Sequence, residues 1–177
     1  MFQMTNPGRY RMEIIGQFIM VTDKDKAWMS VMGNVMDQEG EALELAKQGT
    51  MINHAMSLIP LQKPNKNFKL GLAESEKVEG EECQGITIAH KKMPTITIQF
   101  SKKTGLIKKT KYKAKIAELG FQEVTEEAVY HEYKEFDGFK SPTKMIMYRD
   151  GKKFVESHPQ KVSYPKKLDD SEFEKPK

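Results

Sequence analysis

Cysteine and tryptophan are nearly missing from this chain of 177 residues: Cys83 and Trp28 are the only examples of each. One cysteine excludes an internal disulfide. Glu81 and Glu82 beside it disfavour a thiolate, so Cys83 reads as a small strand residue and not a reactive thiol. Long apolar runs are missing too. The longest, Ala55 to Leu61, is interrupted by Ser57 and Pro60 and falls far short of the roughly 18 residues that span a bilayer. Met1 to Thr5 has neither the charged n-region nor the apolar h-region of a secretory signal, and the chain reads as starting inside a strand.

Catalytic motifs are equally scarce. There is no G-x-S-x-G, no Walker loop and no G-x-G-x-x-G. The histidines at 54, 90, 131 and 158 lack zinc-ligand spacing, and His131 and Glu132, adjacent on a strand, point to opposite faces. Ser141–Lys144 and Ser163–Lys166 match Ser-x-x-Lys, but each contains a proline in an extended or turn region, where no helical turn brings lysine to serine. The acid pairs Glu81-Glu82, Glu126-Glu127 and Asp169-Asp170 read as solvated. The expectation is a non-enzyme with no catalytic residue, no metal and no cofactor.

The net charge of +4 is local. Seven lysines lie between Lys102 and Lys115, flanked by the acid-rich segments Glu74–Glu82 and Glu118–Glu135. Neighbouring hairpins of opposite charge suit cross-strand pairing on a wet face. Tyr112 alternates away from the lysines, so the strand is not a stacking platform for nucleic acid. The same lysines suit peripheral contact with anionic lipid headgroups.

Turn signals punctuate the rest: Asn6-Pro7-Gly8, Asp23-Lys24-Asp25, Gly33-Asn34, Glu79-Gly80, Lys103-Thr104-Gly105, Asp137-Gly138 and Asp150-Gly151. Between them the period is two. Ile96, Ile98 and Phe100 alternate with Thr95, Thr97, Gln99 and Ser101. Lys109, Lys111, Lys113 and Lys115 share the face opposite Thr110, Tyr112, Ala114 and Ile116. The spacing predicts one helical stretch, about residues 37–59, capped by Asp37, broken or kinked into two short helices at Gly49-Thr50 and ended by Pro60. Leu45, Gly49, Ile52, Met56 and Ile59 form its apolar stripe. The fold class expected is α+β: one strongly curved antiparallel sheet, an open half-barrel, with this short helical insertion covering its concave face. Of the twelve methionines, nine fall at or before Met56. Such flexible side chains either fill a soft core or line an apolar cavity that adapts to its occupant.

Several stretches taken in order carry a family resemblance. They are Pro7–Glu13, Ala27–Met29 with Val35–Asp37, Phe100–Leu106, Tyr133–Lys144 and Lys167–Pro176. Together they resemble the lipoprotein-carrier-like superfamily, LolA/LolB-like and often labelled outer-membrane lipoprotein-sorting, and within it an uncharacterised secreted bacterial branch. The resemblance implies a single domain over 1–174, lacking the family's signal peptide and opening strand or strands, with 175–177 a frayed tail. It also implies a half-barrel plugged by helices, a periplasmic or envelope location, and a cavity that accepts a lipid, acyl chain or lipidated protein. Trp28, Met29, Ile52, Met56, Ile59, Ile96, Ile98 and Phe100 are the expected apolar lining. The expected partners are lipid or lipidated protein, with no nucleic acid, and the chain is expected to be a monomer. The competing expectation is an envelope sensing or scaffold module that binds a protein partner and has a filled core.

Overall fold

The computed structural model describes residues 2–6, 8–62 and 66–176. They form two compact units, one from Met1–Asn65 with Lys166–Lys177 and the other from Lys66–Pro165. The architecture is α+β, mostly antiparallel strand, and neither sheet closes. Its strands are hydrogen-bonded as two ladders, where periodicity alone suggested one.

The first unit is a meander of β1 (Phe2–Asn6), β2 (Arg9–Ile14), β3 (Phe18–Asp23), β4 (Lys26–Val31) and β5 (Asn34–Asp37). Helix α1 (Gly40–Met56) and the short α2 (Ile59–Gln62) follow. Asp37 does not cap the helix. Asn34–Asp37 pair with β4, Asp37 opposite Trp28, so the helix starts later, behind Glu39. The helix also runs unbroken through Gly49. Thr50 tolerates the interior because its hydroxyl donates to the Ala46 carbonyl at 3.0 Å. The break falls at Leu58, whose φ of +64° no helix accommodates, and Pro60 sits buried within α2.

Both faces of the five-stranded ladder are covered: Val21 and Trp28 are buried on one, Thr22 and Ala27 on the other. On the Trp28 face the chain's C-terminal segment returns as a 3-10 turn, Asp170–Phe173. Phe173 packs with Val21 and Trp28, flanked by Ile19 and Leu168. The Trp28 indole donates to the Phe173 carbonyl at 3.2 Å. Arg9 holds the turn from above: it pairs with Asp23 at 2.7 Å and with Asp170, and its guanidinium lies 5.0 Å from the Phe173 ring centre. Lys175 reaches Asp37 at 2.8 Å.

The second unit is one seven-stranded antiparallel meander. It runs β6 (Lys69–Val78), β7 (Glu81–His90), β8 (Met93–Ser101), β9 (Ile107–Ile116), β10 (Gln122–Phe136), β11 (Phe139–Arg149) and β12 (Lys152–Ser157). Three of its hairpin turns, Glu79-Gly80, Asp137-Gly138 and Asp150-Gly151, have positive φ at both central residues, as does Met32-Gly33 in the first unit. This is the type I′ geometry whose twist matches the strands. The Gly105 turn closes as anticipated, with Gly105 N–H on the Ser101 carbonyl at 2.9 Å. In the Asn6-Pro7-Gly8 signal, Pro7 lies outside the described residues.

This ladder is strongly curved. Four strand spacings separate β6 from β10, about 19 Å across a flat sheet. Yet Glu79, at the tip of the β6–β7 hairpin, sits 3.2 Å from His131 Nδ1 on β10. A bulge between Ala73 and Glu76 lets the hairpin fold back over the lysine face. Gln99 and Ser101, polar and outward by alternation, are therefore buried, and the Gln99 amide donates to the Glu74 carbonyl at 3.1 Å. Cys83 is buried at the same place, where burial pushes its thiol pKa up.

Candidate functional site

Register across the seven strands separates the two faces residue by residue. One row reads Leu72, Ile86, Ile98, Thr110, Ala128, Met147 and Val155. The adjacent row on the other face reads Gly71, Thr87, Thr97, Lys111, Glu127, Tyr148 and Lys153. The first face is apolar and the second carries the charge. Lys111, Lys113 and Lys115 are exposed, and the lysines meet the acids opposite: Lys111 with Glu127 at 3.0 Å and Lys113 with Glu123 at 2.8 Å. Lys109 is the departure. The folded-back hairpin half-buries it between Glu76 at 3.4 Å and Glu127 at 3.3 Å.

The apolar face holds a polar cluster that composition did not signal. Glu126, an apparently solvated partner of Glu127, points to the apolar face and is buried. Its carboxylate accepts from Tyr112 Oη at 2.8 Å and from Arg149 Nε at 2.9 Å. Tyr112 and Arg149 are its register partners on either side, so a row beginning Leu70, Ile88 on the far edge ends in charge. The Arg149 guanidinium stacks 4.1 Å from the Phe154 ring centre. Tyr130 shares a hydrogen bond with Thr110 at 3.1 Å, and Tyr133 donates to the Ile107 carbonyl at 2.6 Å. Burial pushes the phenols of Tyr112, Tyr130 and Tyr133 well above their ordinary pKa, keeping them as neutral donors. Only the alternation of Glu126 against Glu127 hinted at this arrangement.

The eight residues expected to line a cavity divide between the units. Trp28 and Ile52 are buried in the first unit, Met29 and Met56 half-buried, and Ile59 exposed. In the second, Ile96 and Ile98 have no accessible surface and Phe100 is half-buried. Trp28 is packed by Phe173, a contact spanning most of the chain that no local pattern reveals. Met29 belongs to a row the sequence does not display. Met12, Met20, Met29 and Met36 stand in direct register across β2 to β5. That row of four thioethers lies on the face opposite Trp28, all but one half-buried and Met36 exposed. Among the described residues, no three His, Cys, Asp or Glu side chains converge as a metal site, and no helix is long and apolar enough to cross a membrane.

These elements, two unclosed antiparallel ladders with few helices, make up a LolA-type fold, in agreement with the motif resemblance. The solved structures that share it are distant in sequence. A Vibrio parahaemolyticus domain, provisionally named as an outer membrane lipoprotein-sorting protein domain, superposes with a TM-score of 0.53 at 10% identity, over 93% of this chain and 79% of its own. A LolA superfamily protein from Nitrosomonas europaea gives 0.52 at 11% identity, over 96% of this chain and 78% of its own. No family model and no curated protein matches the sequence.

Proposed function

We propose that this protein is a non-enzymatic binder of an acyl chain, as a lipid or as a lipidated protein, in the bacterial periplasm or envelope. The observation that carries this reading is the apolar row from Leu72 to Val155, built across seven strands of a LolA-type fold. The name of the Vibrio domain, which refers to lipoprotein sorting, supports it. Burial of each acyl methylene contributes about 0.8 kcal/mol, so a chain of ordinary length needs no covalent step to be held. In the second unit Phe100 keeps accessible surface and meets the chain first; in the first unit, taken by itself, Met29, Met56 and Ile59 do so. Within the second unit Ile96 and Ile98, and within the first Ile52, join the lining where the ligand displaces what now covers them; Trp28 lies on the opposite face from Met29, under Phe173. The methionine row suits chains of differing shape, because thioether side chains repack at low cost.

The second reading is a sensing or scaffold module with a filled core that acts as a monomer on a protein partner. Complete burial of Ile88, Ile96 and Ile98, and the Phe173 cap on Trp28, favour it. Organic extraction and mass spectrometry of the purified protein, with titration by a fluorescent fatty acid, separate the two. Co-purified lipid or saturable probe binding supports the carrier, and a lipid-free protein that ignores the probe supports the scaffold.

A further inference from the structure

Arg149 is held in an unusual way for a residue on an apolar sheet face. Its Nε donates to Glu126, and Glu126's second oxygen is taken by Tyr112, so the carboxylate is fully engaged on the inner side. The guanidinium plane rests on Phe154. The outer edge, Nη1 and Nη2, has no partner among the described residues, although a third of the side chain is exposed. Across the Asp150-Gly151 turn its register partner is Lys152, an exposed cation with no anionic partner there. Two cations directly opposite on one face repel each other. The acids close by are occupied: Asp150 accepts from the Thr125 N–H at 2.8 Å, and Glu156 pairs with Lys153, Lys144 and His158.

We infer that the Arg149 outer edge and Lys152 form the head-end site of the bound amphiphile, taking an anionic carboxylate or phosphate while its chain lies along the half-buried Met147 and Met145 of β11. This rests on the acyl-binding reading above and adds the charge of the ligand. The geometry fits the role. Glu126 and Phe154 fix the guanidinium before binding, and a planar fork presenting two donors suits an oxyanion. The repulsion between Arg149 and Lys152 is relieved when an anion lies between them. Their place at the β11–β12 turn leaves the head at the solvent edge and the chain on the apolar face.

The test is calorimetric titration of the full chain with dodecanoate, dodecyl phosphate and dodecanol, three ligands with one chain. Wild type is expected to bind at least one anion roughly tenfold or more tighter than the alcohol, since a charge-assisted hydrogen bond is worth at least that. The tighter anion names the headgroup. K152Q, at an exposed position, reduces the preference, and the double variant E126Q/R149Q, which leaves no lone buried charge, abolishes it; both keep dodecanol affinity. Equal binding of all three ligands by wild type, or an unchanged preference in both variants, overturns the head-end site and leaves the acyl reading standing. Failure of all three to bind overturns both.

Discussion

Gly49 and Gly85 differ in what surrounds the missing side chain. A Cβ at Gly49, inside α1, meets nothing within 4 Å, and its φ is ordinary. Gly49→Ala should therefore raise stability by roughly 0.5–1 kcal/mol, the helix-interior cost of glycine, as read from urea denaturation. A Cβ at Gly85 comes within 2.7 Å of the Glu74 carbonyl oxygen and 2.8 Å of Ala73 Cβ. Gly85→Ala should destabilise, because the bulged β6 backbone stands in the way as well as the Gln99 side chain; a gain in the urea midpoint would contradict the folded-back hairpin. Sequence spacing places a helix over Gly49 but marks the glycine as a kink, since glycine's propensity is visible and the continuity of the helix is not. Glu126 shows the same limit. Alternation puts Glu126 and Glu127 on opposite faces, and only Arg149, 23 residues on, explains why the buried one is tolerated.

At the scale of elements, the C-terminal segment behaves as part of the first sheet's core. Truncation after Lys167 removes Phe173 and Leu168 from Val21 and Trp28. Because Trp28 is the only tryptophan, its emission should shift to the red. Phe173→Ala alone should cost about 3–5 kcal/mol, the usual loss for a buried aromatic. An unshifted spectrum and unchanged melting would show that the turn merely rests on the sheet. The hairpins are legible in the sequence, since Asp-Gly and Glu-Gly write the positive φ of a type I′ turn directly into the chain. The division of the strands into ladders of five and seven is not. Strand period reports which face a residue takes, not which strands are neighbours. The return of Phe173 to Trp28 is hidden for the same reason, because it is a contact of long sequence separation.

For the molecule as a whole, the neutral buried phenols set an alkaline limit. Burial pushes Tyr10 up to about 12 from an ordinary value near 10, and Tyr112, Tyr130 and Tyr133 move the same way. Between those values the unfolded chain loses a proton that the folded chain keeps. Stability is thus fully present below pH 10 and falls as pH rises toward 12, by about 1.4 kcal/mol per pH unit for each such tyrosine. Unfolding and the phenolate absorbance of these four should rise together in that window; phenolate from more than two of the six tyrosines at pH 10 in a still-folded protein would contradict the burial. The fold and its charged face are largely written in the sequence, while the Glu126–Arg149 cluster and the methionine row emerge only with register. Whether the apolar face receives an acyl chain is read by extracting the purified protein into organic solvent and titrating it with a fluorescent fatty acid. Co-purified lipid and saturable, stoichiometric binding are expected. A lipid-free protein that leaves the probe unbound would contradict acyl-chain binding.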